Sequence, residues 1–411
     1  MRRQPPKVPR PEPVARADSP TLAALAANAT PAAVRAFWAG PAARLPLVEE
    51  VPGGRGEEVL VSFCWRDADA EQVLLFANRL TDETRLEDSL LARIPGTDVW
   101  HVTYRLRRDW RASYCFLPQA TGQRPAWLGE GDQVAIRAAL DRGLADPRNP
   151  DVCRNRVGTT QSVASLPDAP PQPWLVRRGD VAPGPVEETR LPDGRRAWLH
   201  DPATAGTDEE LPALVVLDGE VWTGHQDLPT SLDNLHAEGW VRGWRTVFVE
   251  SGGHDQRWTE LAADGAGVEL VVDTVLPWLR ARRAVLPGPR HVTVAGQSLG
   301  GLTALRAGLL APEAVGNVVS HSASLWQDDL LDAVARHRPG AEPLRVHLAH
   351  GAQEWVLGPP HHTLAEAMAA RGIRLDVAVH NGGHDYAWWR GGIADGLLAV
   401  RGIGAAYLRP A

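Results

Sequence analysis

The segment VTVAGQSLGGLTALRAGL, residues 292–309, decides how the second half of the chain folds. It consists of an apolar run, the pentapeptide Gly296-Gln297-Ser298-Leu299-Gly300 and a helical pattern. A strand, G-x-S-x-G and a helix in this order are typical of a nucleophile elbow, in which the serine lies on a strained turn. Glycines beside the serine let neighbouring backbone pass close to it. Ser298 is therefore the predicted nucleophile, and the alternative is a glycine-rich turn with an idle serine.

Apolar runs and helical patterns alternate on both sides of this segment. The helical patterns occupy residues 265–284 and 361–372. Such alternation predicts a doubly wound, mostly parallel sheet, and the elbow then predicts an α/β-hydrolase domain over residues 188–411. The runs ALVVL and VTVAG have the continuous apolar character of strands that are buried on both faces. The other strand-like runs are RRAWLHDP, WRTVFVES, VGNVVSHS, LRVHLAHG and RLDVAVHNGG.

The chain before residue 188 has a different pattern. Residues 1–20 are rich in proline and arginine and are predicted to be disordered. An alanine-rich helical stretch follows, and then come short β-branched and aromatic runs such as EEVLVSFCWRD and VWHVTYRLR, separated by turn residues. This spacing predicts an N-terminal β-sandwich over residues 21–150. The proline density over residues 151–187 predicts an extended linker.

The composition is that of a globular protein without a bias toward a polyanionic partner. The formal net charge is −7, so the overall charge does not favour nucleic acid. Cys64, Cys115 and Cys153 form neither a CxxC pair nor an even disulfide framework. The sequence shows no signal-peptide pattern and no apolar run of membrane-helix length, which predicts a cytoplasmic location without a membrane partner. The sequence does not indicate an oligomeric state.

Ser298 needs a general base, because a neutral hydroxyl is a weak nucleophile at neutral pH. The motif GGHD occurs twice, at residues 252–255 and 382–385. In an α/β hydrolase the chain order is serine, acid, histidine. His254 precedes Ser298, whereas His384 follows the last predicted strand, so His384 is the predicted base. Its alternative is a structural loop histidine. The rival bases, which lack a glycine-bounded loop after the final strand, are His350, His361, His362 and His380.

The acid of the triad is expected after the preceding strand. Glu354, in GAQEW, is the carboxylate found there, and its role would be to orient the imidazole and stabilise the imidazolium. Asp376 and Asp385 are interpreted as structural, and a Ser–His dyad remains an alternative. The predicted oxyanion hole uses the N–H of Leu299 and a second N–H near Gly219.

Beyond these motifs, the sequence resembles the enterochelin esterases, which hydrolyse the trilactone backbone of ferric enterobactin. The resemblance covers nearly the whole chain past residue 50 and rests on VSFCWRD, DWRASYCFLP, LPDAPPQPW, VVLDGEVW, GAQEW and GGHDYAWWRGG. It implies a β-sandwich domain packed on an α/β-hydrolase domain, and cytoplasmic cleavage of the siderophore so that iron is released. Ser298, His384 and Glu354 match the family nucleophile, base and a recurring glutamate. Ala349 stands where family members often carry a second carboxylate, which keeps the dyad alternative open.

The substrate that the resemblance implies, a ferric tris-catecholate, is a bulky trianion. Its site is expected to offer guanidinium groups and aromatic faces. Arg257 matches a family arginine, so the resemblance implies that the first GGHD segment contributes to substrate binding. Alternatively, Arg257 pairs with Glu260. Trp389 could instead be a core residue and Arg111 an interdomain or sandwich residue. The predicted substrate-binding residues are Arg257, Arg390, Trp222, Trp389 and Arg111.

Three functions are compatible with these motifs. The first is a serine esterase for ferric catecholate trilactones, with a small-molecule siderophore as its partner. The second is a general carboxylesterase of the feruloyl or thioester type, which the N-terminal domain argues against. The third is a non-catalytic siderophore-binding protein, which Ser298, Glu354 and His384 argue against. No metal or other cofactor is expected, because iron enters only with the substrate and the HH pair at 361–362 is typical of the polar start of a helix.

Overall fold

The computed structural model describes residue 11 and residues 14–125, 127, 139–338 and 342–403. Within these residues the chain forms two compact units. The first unit takes in the chain up to Pro170 together with Asn381–Ala387. The second unit takes in Pro171–His380 and the chain from Trp388 onward.

The first unit contains two four-stranded antiparallel sheets. One sheet has the order β1 (Leu47–Glu50), β2 (Glu58–Arg66), β5 (Val99–Arg107) and β4 (Ala92–Arg93). The other has the order β3 (Ala70–Ala77), β6 (Arg111–Ala120), β8 (Thr160–Ser165) and β7 (Val152–Arg154). Two short helices precede them, α1 (Pro20–Ala27) and α2 (Pro31–Ala39). Both helices begin with proline after a capping hydroxyl residue, Ser19 and Thr30 respectively.

Apolar side chains from both sheets share one core. The side chain of Phe63 in β2 packs edge-on against Tyr114 in β6, with ring centroids 4.9 Å apart. Tyr104 in β5 lies on the other side of Phe63, at 6.4 Å between centroids. Aromatic rings in this geometry add to the stabilisation that burial alone provides.

Two predictions for the first half need correction. Part of the predicted disordered N-terminus pairs with β5, because Ala17 N donates to Thr103 O at 3.1 Å and Arg105 N donates to Ala15 O at 3.1 Å. Residues 1–10, 12 and 13 lie outside the described residues. The predicted linker 151–187 contains β7 and β8, which extend the second sheet. These strands are three and six residues long and flanked by prolines, so their signal is weak beside the proline-rich pattern.

The second unit is built on an eight-stranded sheet. Its order is β16-β15-β14-β13-β11-β12-β10-β9, where the bounds are β9 (Val186–Arg190), β10 (Arg196–His200), β11 (Ala213–Leu217), β12 (Arg245–Val249), β13 (Val292–Gln297), β14 (Asn317–His321), β15 (Arg345–Gly351) and β16 (Arg374–His380). Strand β10 pairs antiparallel with both of its neighbours, β9 and β12, and all other neighbouring strands are parallel. Strands β10 to β16 lie where the apolar runs predict them.

Helices connect these strands. They are α3 (Gly219–Gly224), α4 (Leu228–Ala237), α5 (His254–Glu260), α6 (Gly267–Glu269, continued by a π-helical turn Leu270–Val275 and by Leu276–Arg280), α7 (Leu299–Leu310), α8 (Leu331–Arg336), α9 (Gly358–Ala370) and α10 (Tyr386–Val400). All residues of β11 to β14 are buried, as expected for strands covered on both faces. The core unites these strands with apolar faces of α6, α7 and α9.

The parallel strands bring several loops to one edge of the sheet. The carboxyl ends of β11, β13, β14 and β15 lead into Asp218, Ser298, Ser322 and the turn before Glu354. Ligands of open α/β sheets bind outside the carboxyl ends of the strands. This edge is therefore where a site is expected in the second unit.

Candidate active site

Ser298 lies on a strained turn between β13 and α7. Its backbone angles are φ 57° and ψ −119°, in a region that residues with a side chain rarely adopt. A Cβ added at Gly296 would lie 2.5 Å from backbone atoms of Gly300, so the turn requires a glycine there. This is the geometry of a nucleophile elbow.

Main-chain hydrogen bonds hold the serine from both sides. Ser298 N donates to His321 O at 2.9 Å, and Ser324 N donates to Ser298 O at 3.1 Å. The side-chain oxygens of Ser298 and Ser324 lie 3.4 Å apart. The main chain of Ser298 is therefore held in place, while the residue itself is half-buried and retains contact with solvent.

The two predicted oxyanion donors follow neighbouring strands. Leu299 is the first residue of α7 and Gly219 the first residue of α3, and their strands β13 and β11 pair with each other. Amides at the start of a helix have no acceptor within it. A Cβ at Gly219 would lie 2.6 Å from backbone atoms of Phe248 and Val249, so only glycine lets this loop pack against β12.

A buried hydrogen-bond network that includes Arg257 lies beside these donors. Its Nε and Nη2 donate to the two carboxylate oxygens of Asp218 at 2.6 and 2.8 Å. Gln297 Nε2 also donates to Asp218, at 2.8 Å, and Trp222 Nε1 donates to Gln297 Oε1 at 3.0 Å. Arg257 is only 7% exposed. Its guanidinium thus pairs with an internal carboxylate, and its contact with a substrate stays a prediction.

The expected alternative partner of Arg257, Glu260, has a different arginine. Arg195 Nη2 and Nη1 donate to the two oxygens of Glu260 at 2.5 and 2.7 Å. Two bidentate arginine–carboxylate pairs therefore involve α5, a buried one through Arg257 and a second one through Glu260, whose side chain is 22% exposed.

Glu354 is buried after β15 and is hydrogen-bonded as a carboxylate. It is 1% exposed, and its Oε2 accepts from Ser322 Oγ at 2.6 Å and from Gly351 N at 2.7 Å. Ser322 has a positive φ of 48° and accepts a hydrogen bond from Trp389 Nε1 at 3.0 Å. Donors of this kind favour the ionised form of a carboxyl group.

His384 lies in the segment Asn381–Ala387, which belongs to the first unit. Its carbonyl oxygen accepts from Asn78 Nδ2 at 3.0 Å, and the residue is half-buried. The neighbouring Asp385 is buried and accepts from Ser113 N at 2.6 Å and from Ala387 N at 2.9 Å. Asp385 therefore has a structural role at the start of α10, as the sequence suggests. Ser298, Leu299, Gly219 and Glu354 belong to the second unit.

The other histidines are poorly suited to act as the base. His254, in the first GGHD segment, has a side chain that is 72% exposed and contacts Asp255. Burial lowers the pKa of His361 to about 4 and also lowers the pKa of His350. A base with so low a pKa is poorly matched to proton transfer at neutral pH. The ring of His380 stacks on Trp388 at 4.3 Å.

His321 is a further buried histidine at the edge of the sheet. Burial lowers its pKa well below the usual value, and the nearby His347 and His380 lower it further. Its ring lies 5.4 Å from that of His347, whose Nδ1 contacts Asp376 at 2.6 Å. Asp376 therefore pairs with a histidine other than the predicted base.

The remaining predicted binding residues are also engaged inside the protein. Trp222 and Trp389 are buried and donate their indole N–H groups to Gln297 and Ser322, which favours the core alternative for Trp389. Arg111 is buried within the first unit, where its Nε donates to Ser165 Oγ at 2.9 Å and its Nη2 to Pro170 O at 2.5 Å. Arg390 donates from Nε to Gln172 Oε1 at 3.3 Å. Each of these side chains thus has at least one internal hydrogen bond, and its contact with a substrate stays a prediction.

Sequence reasoning missed four polar residues beside the elbow and Glu354: Asp218, Gln297, Ser322 and Ser324. A usable signal is present, because each of the four lies at or just after the carboxyl end of a predicted parallel strand. Within the described ranges, no group of three or more His, Cys, Asp or Glu side chains is arranged to hold a metal ion. No helix in this part of the chain is both long enough and apolar enough to cross a membrane.

Two protein-family descriptions match the chain. Residues 60–175 match "Enterochelin esterase, N-terminal" and residues 190–400 match "Putative esterase". An iron(III) enterobactin esterase of Dickeya dadantii is 30% identical, and the alignment covers 90% of this chain and 93% of that protein.

Solved structures give the same result. The ferric enterobactin esterase of Salmonella typhimurium superposes with a TM-score of 0.74 at 27% identity, covering 89% of this chain and 98% of that one. The enterobactin esterase of Shigella flexneri, solved in the presence of enterobactin, gives 0.72 at 28% identity, covering 86% and 95%. The similarity therefore extends over both halves of the chain.

Proposed function

Because this chain belongs to the enterochelin esterase family, we propose that it is a serine esterase that hydrolyses the ester backbone of ferric catecholate trilactone siderophores such as ferric enterobactin. The observation that carries the proposal is Ser298 on its strained elbow turn, in a chain whose relatives are iron(III) enterobactin esterases over nine-tenths of its length. A serine held in this way is suited to acyl transfer. Iron is released once the ligand is opened.

We assign the second unit to the α/β-hydrolase fold and the two sheets of the first unit to a β-sandwich. The support for the former is the strand order β9-β10-β12-β11-β13-β14-β15-β16, with an antiparallel β10 and a serine turn after the fifth strand of that unit along the chain. The support for the latter is the core that the two antiparallel sheets share.

In the proposed mechanism, Ser298 Oγ attacks the carbonyl carbon of a backbone ester while its proton passes to the imidazole of His384. The carbonyl oxygen becomes an oxyanion that accepts hydrogen bonds from the N–H groups of Leu299 and Gly219. When the tetrahedral intermediate collapses, the carbon–oxygen ester bond breaks and the leaving alkoxide takes the proton from His384. Water then attacks the acyl-enzyme with His384 as base, which regenerates Ser298 and yields a carboxylate.

Glu354 is proposed as the acid that stabilises the imidazolium. Its ionised form is supported by the hydrogen bonds from Ser322 Oγ and Gly351 N. A Ser298–His384 dyad is the alternative, and replacement of Glu354 by Gln distinguishes the two. A triad requires a fall in kcat of roughly 10⁴-fold, as for the corresponding change in serine proteases, whereas a dyad leaves kcat nearly unchanged.

We further propose that no resident cofactor takes part and that the reaction takes place in the cytoplasm. Acyl transfer by a serine, an imidazole and backbone N–H groups needs no metal, and iron belongs to the substrate. Cys64, Cys115 and Cys153 are not joined in disulfide bonds, which is usual for proteins of a reducing compartment.

The test is a chromatographic time course with ferric enterobactin. Wild type should convert the cyclic trilactone into linear products, and Ser298→Ala should lower the rate by at least about 10⁴-fold. Ser231→Ala, which changes a buried serine of α4 in the same unit, is the matched control and should retain activity. The proposal fails if wild type cleaves neither ferric enterobactin nor p-nitrophenyl acetate. Cleavage of p-nitrophenyl acetate alone would support the assignment as an esterase and exclude ferric enterobactin as the substrate.

A further inference from the structure

We propose that Asp218, Arg257, Gln297 and Trp222 form a positioning network that holds the two oxyanion-hole loops in register. This inference rests on the proposed esterase function and extends it. Asp218 and Trp222 lie on the loop and helix after β11, which carry Gly219. Gln297 is the residue directly before Ser298, and Arg257 lies on α5.

Gln297 links the two loops through both ends of its amide. Its Nε2 donates to Asp218 Oδ2 at 2.8 Å, and its Oε1 accepts from Trp222 Nε1 at 3.0 Å. The amide therefore bridges two points on either side of Gly219 to the strand that carries the nucleophile. Arg257 adds a contact from its Nη2 to the main-chain oxygen of Gln297 at 3.4 Å.

The charges in this network are fully enclosed. The Asp218 side chain is 0% exposed, and its two oxygens are held in a bidentate pair by Arg257. Burying such a pair costs more desolvation free energy than burying apolar residues of similar size. The pair is therefore better explained by the fixed geometry that it provides than by a gain in stability.

Backbone strain at both ends of the network supports the same role. Asp218 has a φ of 60° and Ser298 a φ of 57°, and neither residue is a glycine. Strained residues persist only where the surroundings hold them in place. The bidentate pair and the Gln297 amide supply such restraint to both turns.

The chemical reason for this restraint is the geometry of the oxyanion hole. Its donors act only if they lie about 2.7–3.1 Å from the developing oxyanion, and the loss of one donor costs on the order of 10²–10³ in kcat. A shift of Gly219 relative to Leu299 would misalign one donor without removing it. The network should therefore affect kcat and leave the binding of the substrate nearly unchanged.

The test compares steady-state constants for wild type, Gln297→Met and Arg257→Lys with ferric enterobactin and with p-nitrophenyl acetate. Methionine keeps the length of Gln297 and removes both amide hydrogen bonds. We expect kcat to fall about 10- to 100-fold on both esters, with KM changed less than about threefold. Gln297→Met with wild-type kcat would overturn the proposal. The proposal would also be overturned if Arg257→Lys raised KM for the ferric trianion and left kcat unchanged, because that is the result expected for an arginine that binds the anion.

Arg195→Lys is the matched control. Arg195 is 6% exposed and forms a comparable bidentate pair with Glu260 on the same helix α5, but it has no hydrogen bond to Gln297 or Asp218 among those described. Its melting temperature should fall as for Arg257→Lys while its kcat stays at the wild-type value. An equal loss of kcat in Arg195→Lys would mean that general destabilisation explains the effect, and the proposal would be wrong.

A milder variant covers the case in which the larger changes prevent folding. Trp222→Phe keeps an aromatic ring in place and removes only the indole N–H, so kcat should fall a few-fold at unchanged KM. Wild-type kcat in this variant would contradict a role for the Trp222–Gln297 bond. The aryl ester keeps the outcome separate from the proposed function, because the kcat comparison stands even if wild type does not cleave ferric enterobactin.

Discussion

The loop that carries Ser298 and the loop that carries His384 are held by different kinds of contact. Ser298 is fixed mainly by its own backbone and by the main chain around it. The segment Asn381–Ala387, with His384, is irregular up to Asp385 and is held by hydrogen bonds from both main-chain and side-chain groups of the first unit. The turn at Ser298 can be recognised from local sequence, whereas the conformation of the segment with His384 depends on residues that are distant in the sequence.

At the elbow, local geometry does most of the positioning. The positive φ of Ser298, the absence of a Cβ at Gly296 and the hydrogen bond from Ser298 N to His321 O at 2.9 Å define the turn. Strand β13 and helix α7 continue directly from it. A change here is therefore expected to act through steric overlap.

At the histidine loop, tertiary hydrogen bonds replace local geometry. Arg111 N donates to Asn381 O at 3.1 Å, and Asn381 Nδ2 donates to Asp109 Oδ1 at 2.7 Å. Asn78 Nδ2 donates to the carbonyl oxygen of His384, which lies 306 positions later in the sequence. The position of His384 thus depends on residues of its own unit that lie far from it in the sequence.

The largest effect should come from Gly296→Ala at the elbow. The new Cβ would lie 2.5 Å from backbone atoms of Gly300, a distance that side-chain rearrangement cannot relieve. Overpacking of this kind costs about 1–3 kcal/mol or more, and a shift of the nucleophile adds to the loss of activity. We expect kcat/KM for ferric enterobactin to fall at least about 100-fold, measured with folded protein verified by circular dichroism.

Gly300→Ala is its control within the same motif. A Cβ at Gly300 would lie 3.4 Å from Leu217 Cβ and 3.5 Å from Asp218 Oδ2, which is ordinary van der Waals contact. Its kcat/KM should stay within about threefold of wild type. Near-wild-type activity in Gly296→Ala would show that the elbow is not as rigid as its backbone geometry implies.

The same contrast explains what the sequence could predict. The alternation of apolar runs and helices predicted the positions of β10 to β16. The signal is clearest for β11 to β14, because parallel strands that are buried throughout have a continuous apolar pattern. The elbow was predictable for a similar reason, since the steric demand at Gly296 appears as a glycine two positions before the serine.

Side-chain partners could not be predicted from the same patterns. Arg257 was expected to bind an anion, but it pairs with Asp218, which lies 39 positions earlier in the chain. Strands β7 and β8 were assigned to a linker because short strands beside prolines carry little local signal. Such features depend on which residues the fold brings together, and a single sequence does not contain that information.

The second-largest effect is expected for Asp385→Ala in the histidine loop. This change removes the acceptor for Ser113 N, at 2.6 Å, and for Ala387 N in the first turn of α10, at 2.9 Å. Leaving buried N–H groups unpaired costs about 1–3 kcal/mol. We expect kcat to fall about 10- to 100-fold with little change in KM, because the loop with His384 loses its attachment.

Thr30→Ala provides the comparison for stability alone. Thr30 caps α2 in the same unit by accepting from Ala33 N at 3.2 Å, and losing such a cap costs about 1 kcal/mol. Both variants should lower the melting temperature, but only Asp385→Ala should lower kcat. Equal kcat values in the two variants would show that the attachment of this loop does not matter for catalysis.

The smallest effect is expected for Asn78→Asp, which is also the most specific test of how the histidine loop is held. The change keeps the size of the side chain but replaces the N–H donor that lies 3.0 Å from His384 O with a second oxygen. The loss of one neutral hydrogen bond corresponds to about 1 kcal/mol, and the new carboxylate, which is ionised at neutral pH, also repels the carbonyl oxygen, so kcat should fall at least about 5-fold at unchanged KM. Asn155→Asp removes an equivalent side-chain bond, from Asn155 Nδ2 to Asp141 O at 3.1 Å, elsewhere in the first unit, and should leave kcat at the wild-type value.

A fall in kcat for Asn78→Asp alone would mean that one amide of the first unit helps to set the position of the base. Matching kcat values would instead mean that the remaining contacts of Asn381–Ala387 are sufficient.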